Sequence, residues 1–186
     1  MTEYSIEDYV TDIRLVVKEE TDEGKIIDRI KPLSKKIAAN KSWVKPEYFN
    51  VDKEQGFGLH LLHEEKDHSL AVFAIAWAPG EGLAPHNHKT WAVVAGIQGQ
   101  EHETTYKRID DGTTDGFADL VKTNEETIYA GDATCCLPED IHSVWNNGCE
   151  IALSIHTYGK HLNHTGRSIF DINQKTETPC IVKVQN

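Results

Sequence analysis

SLAVFAIAWAPGEGLAPHNHKTWAVVAGIQ, residues 69–98, sets two short apolar runs on either side of a turn rich in Gly and Pro. Runs of this length, bounded by turn formers and holding β-branched and aromatic side chains, read as strands. The pattern extends in both directions, through FGLHLLHE (57–64), HETTYKRI (102–109), ETIYAG (126–131), ATCCLP (133–138), HSVWNN (142–147), IALSIHTY (151–158) and CIVKV (180–184). DDGTTDG (110–116) between two of them reads as a hairpin tip. Ahead of the strands the periodicity is helical: Ser5 is a plausible N-cap, and Ile6, Tyr9, Val10 and Ile13 recur at three- and four-residue steps. A second helix carries Ile27, Ile30, Leu33 and Ile37 on one side, with Pro32 predicted to kink or restart it. Many short strands with no helical pattern between them point to a mainly β, antiparallel jelly roll preceded by a helical segment. The expected organisation is one domain over 1–186, with helices to residue 48 and a barrel from residue 49.

Composition narrows the partners. Thirty acidic against nineteen basic residues give a net charge of −11, which disfavours a nucleic-acid surface because phosphate binding needs clustered Lys and Arg. No apolar run approaches the roughly 20 residues of a membrane helix. The N-terminus is acidic and lacks a secretory pattern, so the expected location is cytoplasmic. The expected partner is a small molecule or another copy of the chain, as a monomer or small homo-oligomer. Cys135, Cys136, Cys149 and Cys180 show no CxxC spacing and read as reduced thiols.

Histidine spacing carries the chemistry. His86 and His88 are two apart, so an extended backbone sends both imidazoles from one face. His142 opens a comparable segment after another Gly/Pro-containing turn, and three imidazoles inside a barrel would suit Fe(II), Cu, Ni or Zn with coordination positions left open. His161 and His164 read as solvated loop residues. Trp91 and Trp145 flank the ligands and fit either a pocket wall or the core.

Gly80, His86-x-His88 and Gly99, followed by Gly131, Pro138, His142 and Asn146, resemble the two motifs of the cupin superfamily. The Glu that cupins commonly add as a ligand is replaced by Ala92, and Asp140 stands near a usual Gly. Loss of that Glu resembles the thiol dioxygenases of the cysteine dioxygenase type I family, which includes 3-mercaptopropionate dioxygenase-like members. Ser154-Ile155-His156-Thr157-Tyr158 is similar to that family's Ser-x-His-x-Tyr triad, and the likeness runs from about Phe57 to Asp171. The resemblance implies a cupin barrel with one Fe(II) on His86, His88 and His142. It also implies Tyr158, His156 and Ser154 as catalytic residues, and insertion of both atoms of O₂ into a small thiol to give a sulfinic acid. Alternation independently puts Ser154, His156 and Tyr158 on one face of one strand, where they can form a hydrogen-bonded row ending in a phenol.

Substrate choice departs from the family. Leu59 stands where cysteine dioxygenases place a carboxylate-binding Arg, His60 follows it, and Arg167 matches a carboxylate-binding Arg of some mercaptopropionate-type relatives. Leu59, His60 and Arg167 are therefore the candidate substrate contacts, with cysteine, 3-mercaptopropionate or a related thiol as substrate. A cupin using the same histidines for non-redox isomerase or lyase chemistry, and a cupin that only binds a small ligand, are the competing readings.

Overall fold

The computed structural model describes residues 4–185. Two helices, Ile6–Glu19 (α1) and Glu23–Ala39 (α2), and a 3-10 turn at Pro46–Phe49 precede the strands. The strands are Phe57–Glu64 (β1), Ala71–Trp77 (β2), Gly82–His86 (β3), Ala92–Gln98 (β4), Gln100–Arg108 (β5) and Leu120–Tyr129 (β6). They continue with Ala133–Cys136 (β7), Ile141–Trp145 (β8), Ala152–Tyr158 (β9), Ser168–Asp171 (β10), Thr176–Pro179 (β11) and Val184–Gln185 (β12). One sheet has the order β12-β1-β2-β9-β4-β7 and the other β11-β10-β3-β8-β5-β6, and together they form the jelly roll. Among these strand pairs only β1 and β12 run parallel.

Helix and barrel share the first sheet. Val72, Ala74, Ala76, Val93, Ala95, Leu153 and Ile155 face α1 and α2, meeting Tyr9, Ile13, Ile30 and Ile37. Phe73, Ile75, Trp77, Ala92 and Tyr158 leave the other face and meet Val144 of the second sheet. A sheet buried on both faces needs apolar residues at every position, so β2 and β4 are continuous apolar runs rather than alternations. Ser5 caps α1 in a capping box with Asp8, and Tyr9 in its first turns is fully buried. The Tyr9 hydroxyl shares hydrogen bonds with Ser34 of α2 at 2.6 Å and Thr157 of β9 at 2.7 Å, tying both helices to the strand that carries the triad.

The structure departs from the sequence expectation in three places. Pro32 does not restart α2, which runs from Glu23 to Ala39 as one helix with buried Ile30 and Ile37 on either side of it. CIVKV joins a sheet only through Val184 and Gln185. β3, β10 and β11 carry no strand signal: β3 contains Pro85, which falls at a register shift between Leu83 and His86 where a ladder hydrogen bond is not required. Gly82 makes this strand possible, since a Cβ there would lie 2.2 Å from the Val144 carbonyl oxygen. That close approach sets β3 against β8 with His86 opposite His142.

Tyr9→Phe keeps the packing but leaves Ser34 and Thr157 without their shared partner. Urea denaturation should show a loss of about 1–2 kcal/mol. Unchanged stability would mean that this hydroxyl does not join helices to barrel.

Candidate metal centre

His86 ends β3, His88 follows it after one residue, and His142 lies on β8. All three are buried and each offers a ligand nitrogen within 4.8 Å of the others. Asn87 between the first two turns outward to β10: its backbone N–H donates to the Ser168 carbonyl and its Oδ1 accepts from the Ser168 N–H at 2.8 Å. That anchor leaves both neighbouring imidazoles facing inward.

Partners fix two of the three tautomers. His86 Nδ1 lies 2.9 Å from the Ala84 carbonyl, which can only accept, and His142 Nδ1 lies 2.6 Å from Glu103 Oε1. Each Nδ1 therefore carries the proton, and in the neutral ring the lone pair sits on Nε2. His142 Nε2 and His88 Nε2 face each other at 3.4 Å. Two nitrogens about 2.1 Å from one ion at roughly a tetrahedral angle stand at this separation. His88 Nδ1 is buried with no hydrogen-bond partner. The donor set fits a divalent first-row transition metal, with no carboxylate or thiolate offered by these three residues.

Burial above all holds His86 and His88 well below the usual imidazole range, so they stay neutral and able to ligate. Burial acts the same way on His142, but Cys136 and Glu103 outweigh it and raise its proton affinity. Glu103 is held below the ordinary carboxylate range in spite of its burial, because His142 lies against it.

The inward residues of β9 form a continuous row. Ser154 Oγ lies 2.8 Å from His156 Nε2, and His156 Nδ1 lies 2.9 Å from the Tyr158 hydroxyl. Tyr158 ends the row with its ring centroid 5.1 Å from that of His88. Burial first, with neighbouring His142 adding to it, holds the His156 pKa down to about 3, so the ring is neutral at physiological pH. Burial raises the Tyr158 phenol above its ordinary range, with Arg167 acting against that shift.

Leu59 and Arg167 line the same cavity as the histidines, together with Phe57, Trp77 and Leu162. His60 does not. Strand alternation turns it to the opposite face, where its ring lies 2.9 Å from the Asn50 carbonyl and beside Tyr48, so the expected substrate contact is corrected. Neither Trp91, in the core under the helices, nor Trp145, on the surface, lines the cavity. His161 is buried against Phe73 rather than solvated, while His164 is exposed.

Two buried acids escaped the sequence reading. Glu101 and Glu103 both point inward from β5, and period-two alternation in QEHETT is the signal that could have found them. The Glu101 carboxyl is pushed up to about 7 by burial above all, with Ser154 opposing and Glu103 adding to the shift.

Glu103→Gln should weaken metal binding by about 10- to 100-fold in a chelator competition, because it removes the partner that orients His142. Equal affinity would remove Glu103 from the site. A second test concerns His156. Its folded pKa lies below the unfolded value, so the unfolded chain takes up a proton that the native state refuses. Stability is therefore lost as pH falls from the unfolded pKa toward about 3. From about pH 7 to pH 5 this loss amounts to about 2 kcal/mol. In urea melts His156→Gln should lose that much less over the same interval, and an identical pH dependence would contradict a neutral buried ring.

No protein-family model matches the chain. Among solved structures it is similar to oxalate oxidase in complex with the substrate analogue glycolate, at 16% identity and a TM-score of 0.47, covering 60% of this chain and 54% of that one. It thus spans about half the length of that relative. It is also similar to a conserved protein with a double-stranded β-helix domain from Klebsiella pneumoniae, at 19% identity and a TM-score of 0.46, covering 67% of this chain and 92% of that one. A third is the Cupin_2 domain of a transcriptional regulator from Enterobacter cloacae, at 17% identity and a TM-score of 0.40, covering 56% of this chain and 96% of that one. This chain's own architecture is a mainly β jelly roll of two six-stranded sheets with two helices at its N-terminal side.

Proposed function

We propose that His86, His88 and His142 hold one Fe(II) per chain and that the protein oxidises a small organic thiol with O₂ to its sulfinic acid. The observation that carries this reading is the Ser154–His156–Tyr158 row, hydrogen-bonded end to end and delivering a phenol beside His88. The reaction is R–SH + O₂ → R–SO₂H, in which both oxygen atoms enter the sulfur and no external reductant is consumed. Bound to the three histidines, an iron(II) ion would supply the Lewis acid that favours thiolate and the electrons that O₂ activation requires.

The chain's own groups supply orientation, a proton donor and exclusion of water. In the tautomer that carries the His156 proton on Nδ1, Ser154 donates to His156 Nε2 and His156 Nδ1 donates to the Tyr158 oxygen. This leaves the phenol O–H free to point into the cavity. Burial keeps that proton on Tyr158, so the phenol acts as a hydrogen-bond donor to a reacting oxygen or sulfur rather than as an anion. Phe57, Leu59, Trp77 and Leu162 give an apolar wall that strengthens each of these interactions. Arg167 on the same wall supports a thiol bearing a carboxylate.

Oxygen uptake by the Fe(II)-loaded protein should be measured against cysteine, 3-mercaptopropionate, cysteamine and mercaptosuccinate, with sulfinate quantified. One O₂ consumed per sulfinate formed is expected with a carboxylated thiol. Tyr158→Phe should keep its iron and lose about 10- to 100-fold in turnover, the scale of a missing proton donor. Thiol-independent uptake, or full activity of Tyr158→Phe, would contradict the assigned roles.

A further inference from the structure

Arg167 is 2% exposed, yet it has no acidic partner among the described residues. Its Nη2 donates to Cys180 Sγ at 3.0 Å, and its Nε is buried with no partner at all. The backbone enforces this pairing, since the Cys180 N–H donates to the Arg167 carbonyl at 2.9 Å at the open end of the β10–β11 hairpin. Buried guanidinium groups are ordinarily matched by carboxylates, because an uncompensated charge away from water is costly. The nearby acid is committed elsewhere: Glu177 accepts from Arg108 and from Ser168, each at 2.7 Å.

The position of the pair adds a second observation. Arg167 and Leu162 line both the histidine cavity and an outer cleft of about 570 Å³, and Cys180 lines that cleft. The guanidinium therefore stands in the wall between solvent-side space and the candidate metal centre. A thiol is an uncharged acceptor: it can aim a guanidinium without cancelling its charge, which a carboxylate at the same place would do.

We propose that Cys180 is a positioning residue that sets the charge class of the substrate, aiming Arg167 so that its charge is left for an anionic thiol entering from the outer cleft. The proposal rests on the thiol reading above and adds to it a selectivity that resides in one sulfur.

The test is equilibrium binding rather than turnover. Fe(II)-loaded protein is titrated under nitrogen with 3-mercaptopropionate and with 3-mercaptopropan-1-ol, which differ only in the anionic group, and the ratio of the two affinities is read. The wild type should prefer the carboxylate by about tenfold or more, as a charge-assisted contact in a desolvated wall implies. Cys180→Ser, which keeps an uncharged acceptor, should hold that ratio within about threefold. Cys180→Asp should bring it to about one, because the new carboxylate pairs with Arg167. Should Cys180→Asp fail to fold, Cys180→Ala against Cys180→Ser decides: the alanine variant should lose at least about threefold of the preference, and equal ratios overturn the proposal. Retention of the wild-type ratio in Cys180→Asp also overturns it. A wild type that binds both thiols equally overturns it while leaving the thiol reading intact. Binding of neither thiol overturns the thiol reading itself, and this proposal with it.

Discussion

Three buried imidazoles turned toward one another form the constraint on which the rest of this site depends. His142 Nε2 and His88 Nε2 face each other across 3.4 Å, the separation of two nitrogens that share one ion, while Glu103 holds a proton on the far nitrogen of His142 and His88 Nδ1 has no hydrogen-bond partner. A cation between them would use both nitrogens as ligands. The surrounding structure makes sense as the means of imposing it: Gly82 lets β3 approach β8, the outward anchor of Asn87 turns His86 and His88 inward, and Glu103 fixes the tautomer of His142. Each device acts on a different element, so the cluster is held by the barrel as a whole rather than by one loop.

The phenol and the guanidinium are placed by different logic. Tyr158 is oriented along its own strand, by His156 and Ser154 two and four residues away, and that strand is tied to the helices through Thr157 and Tyr9. One strand thus links the α-helical layer on one face to the chemistry on the other. Arg167 is placed across a hairpin, by a backbone pairing that brings Cys180 behind it. A rigid donor and a charged wall then border the same cavity from separate directions. In the proposed function, such an arrangement would serve a small substrate with a reacting end and an anionic end.

Much of this was legible because one simple period governs it. His86 with His88, and Ser154 with His156 and Tyr158, sit at two-residue spacing in extended chain, and spacing alone predicts a common face. The same rule would have removed His60 from the substrate contacts, since Leu59 and His60 are neighbours and must diverge. Glu103 stayed hidden because acids are almost never fully buried, so an inward acid in an alternating strand reads at first as a solvated face. Cys180 stayed hidden for another reason: its partner is 13 residues away across a hairpin whose strands carry no strand signal. β3 was likewise invisible, because Pro85 conceals a strand that exists through its pairing with β8 rather than through local preference. By sequence Trp91 and Trp145 fit either pocket wall or core; Trp91 sits in the core, and the tryptophan that lines the cavity is Trp77, on another strand.

The most direct test of the central claim is iron K-edge X-ray absorption on the anaerobic Fe(II)-loaded protein, recorded without and with saturating 3-mercaptopropionate. The account predicts imidazole nitrogens in the first shell of the resting protein and a sulfur neighbour that enters that shell when the thiol is added. A resting shell lacking imidazole, or a shell left unchanged by the thiol, would contradict it.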